Sequence, residues 1–276
     1  MPDKKAIVVV SDLHVGSLSG LCPPEGIQLD SGGVLGQSKM QDYTWRCWNH
    51  FWNEWVPART KGVKKSNISV VANGDVIDGN HHQAVDLIPN VMTQERAAVD
   101  ILKPIANKYK LYMVRGTEAH GGKADQNTES IARQLGCPPD TTGNNSVWQL
   151  WLDVDGVVIQ FAHHISTTSS AAYETSAPMR ELVSGLVEAA QWGQRMPDVM
   201  VRSHRHRYIP VSIPRSGDRD LQLVITPAWQ VRTPHVERID RMRLPHIGGV
   251  IIIVEDGQCR MTKKIYDMPM PEMIQL

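Results

Sequence analysis

The sequence has no net charge, since its 276 residues include 29 lysines and arginines against 29 aspartates and glutamates. It therefore lacks the strongly positive overall field that marks proteins dedicated to binding nucleic acid. This balance does not exclude a local basic groove. The length is sufficient for one large α/β domain with a substantial buried core.

Cysteine is scarce, and long apolar runs are missing. The four cysteines form no CxxC pair, which argues against a disulfide framework and against a zinc knuckle; they are Cys22, Cys47, Cys137 and Cys259. No stretch approaches the ~20 apolar residues that a membrane span needs, and no signal-peptide run follows Pro2-Asp3-Lys4-Lys5. We therefore expect reduced thiols in a soluble, cytoplasmic protein without a membrane partner.

Histidine, by contrast, is present in an unusual arrangement. Eight of the eleven histidines lie at or just after the end of a predicted strand: His14, His81, His82, His120, His163, His164, His204 and His206. A single histidine is most often a hydrogen-bonded loop residue. Its repetition at strand ends instead indicates a shared site, because open α/β sheets build ligand sites at the carboxyl ends of their strands.

Apolar, β-branched runs predict the strands that precede these histidines. The first runs, such as Ala6–Ser11 and Ile68–Ala72, are separated by helical segments. A later pair, Val147–Val154 and Val157–Ala162, flanks an Asp-Gly turn and predicts a hairpin. Together these patterns predict an α/β fold of mixed sheets flanked by helices, as one domain over residues 1–276.

A tryptophan-rich helix is predicted from Met40 to Val56, with Pro57 as its end. Its tryptophans follow one another at steps of three or four residues, which places them along one face; they are Trp45, Trp48, Trp52 and Trp55. This face either packs the helix on the sheet or forms a stacking surface for nucleic-acid bases. Packing is the favoured interpretation, because buried aromatics at helical spacing are common.

Short motifs of aspartate and histidine follow the predicted strands. In chain order they are Asp12-x-His14, Gly74-Asp75-x-x-Asp78-Gly79, Gly116-x-x-x-His120, His163 and His204-x-His206. Brought to one point, such motifs can hold two cations ~3.5–4 Å apart. Two divalent cations at that distance repel each other, so a shared carboxylate is needed between them, with imidazoles and further carboxylates as terminal ligands.

The order of these motifs resembles the calcineurin-like metallophosphoesterase superfamily over about three-quarters of the chain. The resemblance implies a four-layer αββα sandwich of two mixed β-sheets flanked by helices, and a two-metal site that hydrolyses phosphate esters. It also implies roles for individual residues: Asp12, His14 and His206 as ligands of one metal, His163 and His204 of the other, Asp75 as the bridge, and Asp78 as a supporting carboxylate. A looser similarity to phage-encoded members appears in Thr226-Pro227-Ala228-Trp229-Gln230.

Two motifs depart from the family pattern. The third motif of the family has an asparagine ligand followed by a proton-donating histidine, where this chain has Gly116-Thr117-Glu118-Ala119-His120. Either Thr117 takes the asparagine position, or Glu118 replaces it as an oxygen ligand while His120 becomes the proton donor. We favour Glu118 with His120, because a carboxylate is the stronger ligand for a hard divalent ion. In the last motif, Ser203 stands where glycine is usual.

These features predict a dinuclear-metal phosphoesterase in which hydroxide attacks phosphorus, with Asp75, Asp78 and His120 in the catalytic machinery. The mixed ligand set suits Mn²⁺, Fe or Zn²⁺. We expect a phosphodiesterase or nuclease acting on DNA or RNA, which would fit the long loop predicted at Val15–Lys39, the tryptophan-bearing helix and the loop arginines. Arg202, Arg205 and Arg207 bracket His204 and His206; they could bind a substrate phosphate, and alternation along a strand could equally point some of them to solvent. The alternatives are a phosphomonoesterase acting on proteins or small molecules, and a metal-binding scaffold without activity.

Overall fold

The computed structural model describes residues 4–80, 88, 90–166, 170–215, 217, 219–233, 244–269 and 273–275. Its strands are β1 Lys5–Val10, β2 Ile27–Gln28, β3 Val34–Leu35, β4 Ile68–Asn73, β5 Lys110–Val114, β6 Ser146–Val147, β7 Leu150–Val154, β8 Val157–Phe161, β9 Val199–Arg202, β10 Ile209–Ile213, β11 Leu221–Ile225, β12 Ile247–Glu255 and β13 Gln258–Tyr266. Its α-helices are α1 Lys39–His50, α2 Val56–Arg59, α3 Val91–Ala106, α4 Glu118–Gly121, α5 Gln126–Gln134 and α6 Ser176–Trp192.

The strands form two large sheets. The first has six strands in the order β13-β12-β1-β4-β5-β6, and the second has five in the order β10-β11-β9-β8-β7. Within the first sheet β1, β4, β5 and β6 are parallel, whereas β12 and β13 are antiparallel to their neighbours. Within the second, β8, β9 and β11 are parallel and the edge strands β7 and β10 are antiparallel. Both sheets are therefore mixed.

Alternation along β1 shows how the layers stack. Ile7 and Val9 face a core shared with Ile159, Val201 and Val224 of the second sheet. Their neighbours Ala6, Val8 and Val10 belong to a different core, on the opposite face, which also includes apolar residues of α1, α3 and α5. A third core packs α6 on the outer face of the second sheet, through Leu182, Met200 and Leu223. This confirms the predicted four-layer αββα sandwich.

The tryptophan-rich helix packs as predicted, but its end differs. Trp48, Trp52 and Trp55 are buried in the core beneath the first sheet, so they are not available to stack on bases. After α1 the chain makes a π-helical turn over Phe51–Trp55 and continues as α2, with Pro57 in its first turn. Pro57 does not end the helical segment, because proline is tolerated where a new helical turn begins and its missing N–H is not needed.

The predicted hairpin strand Val147–Val154 is two strands in different sheets. β6 pairs with β5 at the edge of the first sheet, and β7 pairs with β8 in the second. The chain crosses between the sheets at Trp148 and Gln149, which lie between these two strands. An uninterrupted apolar pattern does not reveal which sheet each part joins, because both sheets present similar alternating faces. The hairpin of β7 and β8 is present as predicted.

Residues 15–39 were predicted to form one long loop, but they include short regular elements. β2 and β3 form a small antiparallel hairpin within it, and Ser38 caps α1 with a reciprocal hydrogen bond to Gln41. No helix in the described part of the chain is long and apolar enough to cross a membrane.

Candidate metal centre

The candidate centre lies where five strands end. Asp12 and His14 follow β1, Asp75 follows β4, and the segment from Gly116 to His120 follows β5. From the second sheet, His163 follows β8, and His204 and His206 follow β9. Because these strands are parallel to their neighbours within each sheet, their carboxyl ends meet at one edge, as ligand sites of α/β sheets require.

Left-handed backbone conformations turn several of these residues out of their strand directions. Positive φ angles between 44° and 70° occur at Asp12, His14, Asp75, His204 and His206. Such conformations cost about 1–3 kcal/mol each for non-glycine residues and concentrate at functional sites. Backbone hydrogen bonds from Asp12 N to Gly74 O and from His14 N to Asp75 O, both 3.1 Å long, hold two of these turns against each other.

The side-chain atoms of seven residues converge into three overlapping groups. In each group the possible ligand atoms lie within 4.8 Å of one another, and the groups are Asp12, His14 and His206; His14, Asp75 and His120; and Asp75, His163 and His204. His14 and Asp75 each belong to two groups. Divalent metal binding is the chemistry that this set of imidazoles and carboxylates suits.

The two aspartates are the centres of these contacts. Asp12 Oδ1 lies 3.3 Å from His206 Nε2 and 3.9 Å from His163 Nε2. Asp75 Oδ2 lies 2.9 Å from His163 Nε2 and 4.0 Å from both His204 Nδ1 and His120 Nε2. One oxygen of each carboxylate therefore faces the imidazoles, and both aspartates are almost fully buried.

Three buried atoms at this point have no hydrogen-bond partner in the protein: Asp12 Oδ1, His14 Nε2 and His163 Nε2. His163 Nε2 also lies 2.9 Å from Asp75 Oδ2, at ion-pair distance. Buried polar atoms in folded proteins are almost always paired, and exceptions require an explanation such as an ion. These atoms all lie in the three convergent groups, so the residues present fit a bound cation.

Hydrogen bonds at Nδ1, the ring nitrogen that faces away from the cluster, orient three of the histidines. His163 Nδ1 donates to the carbonyl oxygen of Asn73 at 2.7 Å, and His120 Nδ1 donates to the carbonyl oxygen of Asp78, also at 2.7 Å. His14 Nδ1 lies 3.2 Å from the carboxylate oxygen Oδ1 of Asp78. Each bond directs Nε2 towards the cluster, which is the arrangement that metal-binding histidines generally show. Asp78 thus supports two histidines.

Electrostatics keep both central carboxylates ionised. Burial opposes ionisation of Asp12 and Asp75, but the neighbouring histidines outweigh it and hold the pKa of each carboxyl below its usual range. Burial likewise disfavours the charged form of His163, yet Asp75 and Asp12 raise its pKa to about 9, so in the metal-free protein its ring carries a proton that a bound cation would displace. Burial lowers the pKa of His14, which favours its neutral form. Ionised carboxylates beside a neutral imidazole are the protonation states that cation ligands require.

The third motif corrects the expectation that Glu118 is a ligand. Glu118 is exposed and its Oε1 accepts a hydrogen bond from the backbone N–H of Ala124 at 3.1 Å. Thr117 instead contacts the centre, because its N–H and its hydroxyl donate to Asp75 Oδ1 at 2.7 and 3.1 Å. The reason is local: α4 begins at Glu118, and this start turns the glutamate side chain towards its own helix and the following turn.

The remaining predicted residues differ in placement. His163 is buried, whereas its neighbour His164 is exposed and packs its ring beside His204. His120 lies at the cluster, with its ring 4.4 Å from that of His14. His81 and His82, which were placed just after a predicted strand, fall outside the described residues.

Two supporting residues were not predicted. His246 holds the His204–His206 turn, since its N–H donates to His206 O at 2.8 Å and its Nδ1 accepts from Tyr208 N at 2.9 Å. Asn73 carries the carbonyl that orients His163. Neither has a sequence signal, because each acts through a partner distant in the chain.

No family model and no curated protein matches this chain. Among solved structures it is similar to Vps29 of Entamoeba histolytica complexed with zinc, at 10% identity and a TM-score of 0.39, covering 95% of this chain and 99% of that one. It is similar to Vps29 of Cryptosporidium parvum at 10% identity and a TM-score of 0.43, covering 96% and 99%. A metallophosphoesterase of Sphaerobacter thermophilus matches at 10% identity and a TM-score of 0.35, covering 95% and 89%.

At such low identity the likeness concerns the fold alone. The chemistry of this chain must be inferred from its own side chains.

Proposed function

We propose that this protein is a dinuclear-metal phosphoesterase of the calcineurin-like class. The observation that carries the proposal is the overlap of the three ligand groups at His14 and Asp75. Because Asp75 belongs to the group with His163 and His204 and also to the group with His14 and His120, one carboxylate serves neighbouring positions. A shared carboxylate is the feature that two adjacent cations require to offset their repulsion.

The ligand sets follow from the groups. One cation would be held by Asp12, His14 and His206, and the other by His163 and His204, with Asp75 between them. When bound, such cations polarise a phosphoryl oxygen and lower the pKa of water, which allows attack on phosphorus at neutral pH. Mixed imidazole and carboxylate ligands suit Mn²⁺, Fe or Zn²⁺.

Two residues of the protein act beside the cations: Thr117 holds the Asp75 carboxylate, and His120 supplies a proton. Thr117 donates from its N–H and its hydroxyl to Asp75 Oδ1 at 2.7 and 3.1 Å, and the hydroxyl also lies 3.3 Å from Oδ2, the oxygen that faces the histidines. The Nδ1–H of His120 donates a hydrogen bond to the carbonyl oxygen of Asp78. A second proton on the ring can therefore be carried only on Nε2, the atom that faces the cluster. In its cationic form His120 would give that proton to the leaving oxygen and remain neutral with Nδ1 protonated.

An arginine-lined pocket beside the centre favours a substrate with more than one phosphate. His204 and His206 line this pocket together with Arg205, Arg207 and Arg232. Backbone carbonyls hold two of these side chains, since Arg205 donates to Glu174 O and Arg207 to Leu244 O. The carboxylate of Glu174 lies 2.8 Å from Arg207 and offsets part of the charge of that side chain. We therefore favour phosphodiesters of DNA or RNA, whose flanking phosphates such a pocket can bind.

Arg202 is not part of this pocket. Its guanidinium is buried and donates to Glu181 Oε1 and to Gln160 Oε1, each at 2.6 Å. It also donates to the carbonyl oxygen of Val201 at 2.8 Å, and these three contacts tie α6 to the second sheet behind the centre.

The proposed function predicts metal-dependent hydrolysis of bis(p-nitrophenyl) phosphate. Turnover is expected with Mn²⁺ and should fall to background with EDTA, because the ligand atoms do not activate water by themselves. Parallel assays with p-nitrophenyl phosphate decide the substrate class. Faster turnover of the diester supports a nuclease or phosphodiesterase, whereas faster turnover of the monoester supports the phosphomonoesterase alternative. Cation binding without turnover of either ester would support the inactive scaffold.

The pocket predicts a substrate-dependent effect of Arg205→Gln. Loss of one charge-assisted contact of about 1.5 kcal/mol corresponds to about a tenfold rise in KM for a single-stranded oligonucleotide. Hydrolysis of bis(p-nitrophenyl) phosphate, which has no second phosphate, should be unchanged. The steady-state kinetics of both substrates measure this difference, with Arg46→Gln on the exposed face of α1 as a control. Equal losses on both substrates would contradict a role in binding a flanking phosphate.

A further inference from the structure

A chain of buried hydrogen bonds runs behind the candidate metal centre and ends on Asp12. Asn73 Nδ2 is 2.7 Å from Ser203 Oγ, which is 2.8 Å from Thr226 Oγ1. Thr226 Oγ1 is 2.9 Å from Ser11 Oγ, and Ser11 Oγ is 2.6 Å from Asp12 Oδ2. All five residues have a relative exposure of 0%. No step of the chain can therefore be exchanged for a bond to bulk water.

The two ends of the chain determine the direction of every bond in it. Asn73 Nδ2 is fixed as the amide nitrogen because it also faces the carbonyl oxygen of Ala162 at 3.2 Å, which only accepts. An ionised Asp12 carboxylate also only accepts, so the Ser11 hydroxyl donates to it at 2.6 Å, a shorter distance than the 3.2 Å to its other acceptor, Pro227 O. Ser11 then accepts from Thr226, Thr226 from Ser203, and Ser203 from Asn73. All of the donors point towards Asp12.

Such a directed chain has two consequences for the carboxylate. Each hydroxyl that accepts a bond becomes a better donor, so the bond from Ser11 to Asp12 Oδ2 is strengthened. With Oδ2 held, the other oxygen, Oδ1, faces His206 and His163 without a hydrogen-bond partner. The chain thereby selects which oxygen of Asp12 is offered to the cluster.

The chain also joins the two sheets. Ser11 follows β1 of the first sheet, whereas Ser203 and Thr226 follow β9 and β11 of the second. Asn73, at the end of β4, has its carbonyl oxygen on His163 Nδ1. The network therefore contacts Asp12, which belongs to one ligand group, and His163, which belongs to another. The hydroxyl of Ser203, at a position where the family resemblance expects glycine, is an essential step in it.

We propose that Ser11, Ser203 and Thr226 are positioning residues, which hold Asp12 through this chain so that its Oδ1 binds a cation. The inference rests on the proposed metal site, but it goes further by assigning a role to three hydroxyl groups that would touch neither cation nor substrate. Partners of this kind, one step removed from a metal, typically change its affinity by about 10–100-fold.

The matched variants Thr226→Val and Thr226→Ser test this proposal. Valine keeps the shape of threonine and removes the hydroxyl, whereas serine keeps the hydroxyl and removes a methyl group. Calorimetric titration of the metal-free proteins with Mn²⁺ should show about 10–100-fold weaker binding to Thr226→Val at one of two sites. Thr226→Ser should bind nearly as wild type, and Ser11→Ala, which removes the donor to Asp12 itself, should be the weakest.

The ratio of the two site affinities separates positioning from damage to the fold. General destabilisation would weaken both sites, whereas loss of the chain should weaken the site containing Asp12 more than the site of Asp75, His163 and His204. Ser203→Gly provides a second test with no added bulk, and thermal unfolding of the metal-free proteins checks that each variant is folded.

Wild-type affinity at both sites in Thr226→Val and Ser203→Gly would overturn the proposal, as would equal weakening by Thr226→Ser and Thr226→Val. A wild-type protein that binds no Mn²⁺ would overturn both this proposal and the proposed function. A protein that binds Mn²⁺ but hydrolyses neither test ester would overturn the enzyme assignment alone, because the affinities of the variants would still decide the role of the hydroxyl chain.

Discussion

Replacing Asp75 by asparagine is expected to lower the rate of diester hydrolysis on the order of 10³-fold or more, because the charge interactions of a preorganised site are usually the largest contribution to catalysis. Asparagine has the shape of aspartate but carries no negative charge. The change would therefore remove the one carboxylate that belongs to two of the ligand groups. Steady-state kinetics with Mn²⁺, together with the number of cations retained after gel filtration, measure both consequences.

The control for this change is Asp42→Asn. Asp42 lies on α1, where it pairs with Arg46 at 3.2 Å and remains largely exposed. Its replacement should leave rate and metal content at wild-type values, since exposed ion pairs contribute little. A wild-type rate in Asp75→Asn would show that this carboxylate is not needed for the reaction. It would also contradict the proposed two-cation site, which depends on a shared carboxylate. Thermal unfolding of the metal-free variants distinguishes loss of the site from loss of the fold.

The ends of β1, β4, β8 and β9 explain why much of the site could be predicted from sequence. Each strand is an apolar run, and in each the run stops at or just before an aspartate or histidine motif. Strand direction then determines where these motifs lie, because neighbouring parallel strands have their carboxyl ends at the same edge of the sheet. Burial of the strand and placement of the side chain after it are both local consequences of the pattern. The clustering of Asp12, His14 and Asp75 follows from these alone.

The choice between Thr117 and Glu118 could not be made in this way. Both follow β5 within a few residues, and only the point at which α4 begins decides which side chain faces Asp75. That helix has four residues, which is too short for any apolar periodicity to indicate its start. Ligand strength favoured the glutamate, but the backbone turns it away, and the geometry of the turn prevails over the chemistry of the side chain.

The hydroxyl chain was beyond sequence reasoning for a different reason. Ser11 and Thr226 are 215 positions apart in the chain, and their contact forms only when the two sheets pack face to face. Serine and threonine also occur widely in loops and strands, so neither type indicates a buried network. The same holds for the split of residues 147–154 between two sheets, because tertiary pairing and not the local pattern decides it.

His120→Ala is expected to reduce cleavage of a dinucleotide by ~10²–10⁴-fold, the usual contribution of a positioned proton donor. The leaving oxygen of a dinucleotide is an alkoxide, which needs a proton as the bond to phosphorus breaks. The p-nitrophenolate leaving group is stable without one. Hydrolysis of bis(p-nitrophenyl) phosphate should therefore lose much less than cleavage of the dinucleotide, and the comparison of the two rates measures the proton transfer itself.

The same comparison separates the two roles that the geometry allows His120. Its Nε2 lies 4.0 Å from Asp75 Oδ2, and His14, Asp75 and His120 form one of the three ligand groups. As a ligand, His120 would be needed equally for both esters, and its loss would also weaken Mn²⁺ binding. His50→Ala is the control, since His50 lies on α1 and bonds to the hydroxyl of Tyr266. Equal losses on both esters with weaker Mn²⁺ binding would contradict the proton-donor role. A large loss confined to the alkoxide ester, with metal affinity unchanged, would establish that role, because only proton delivery depends on the leaving group.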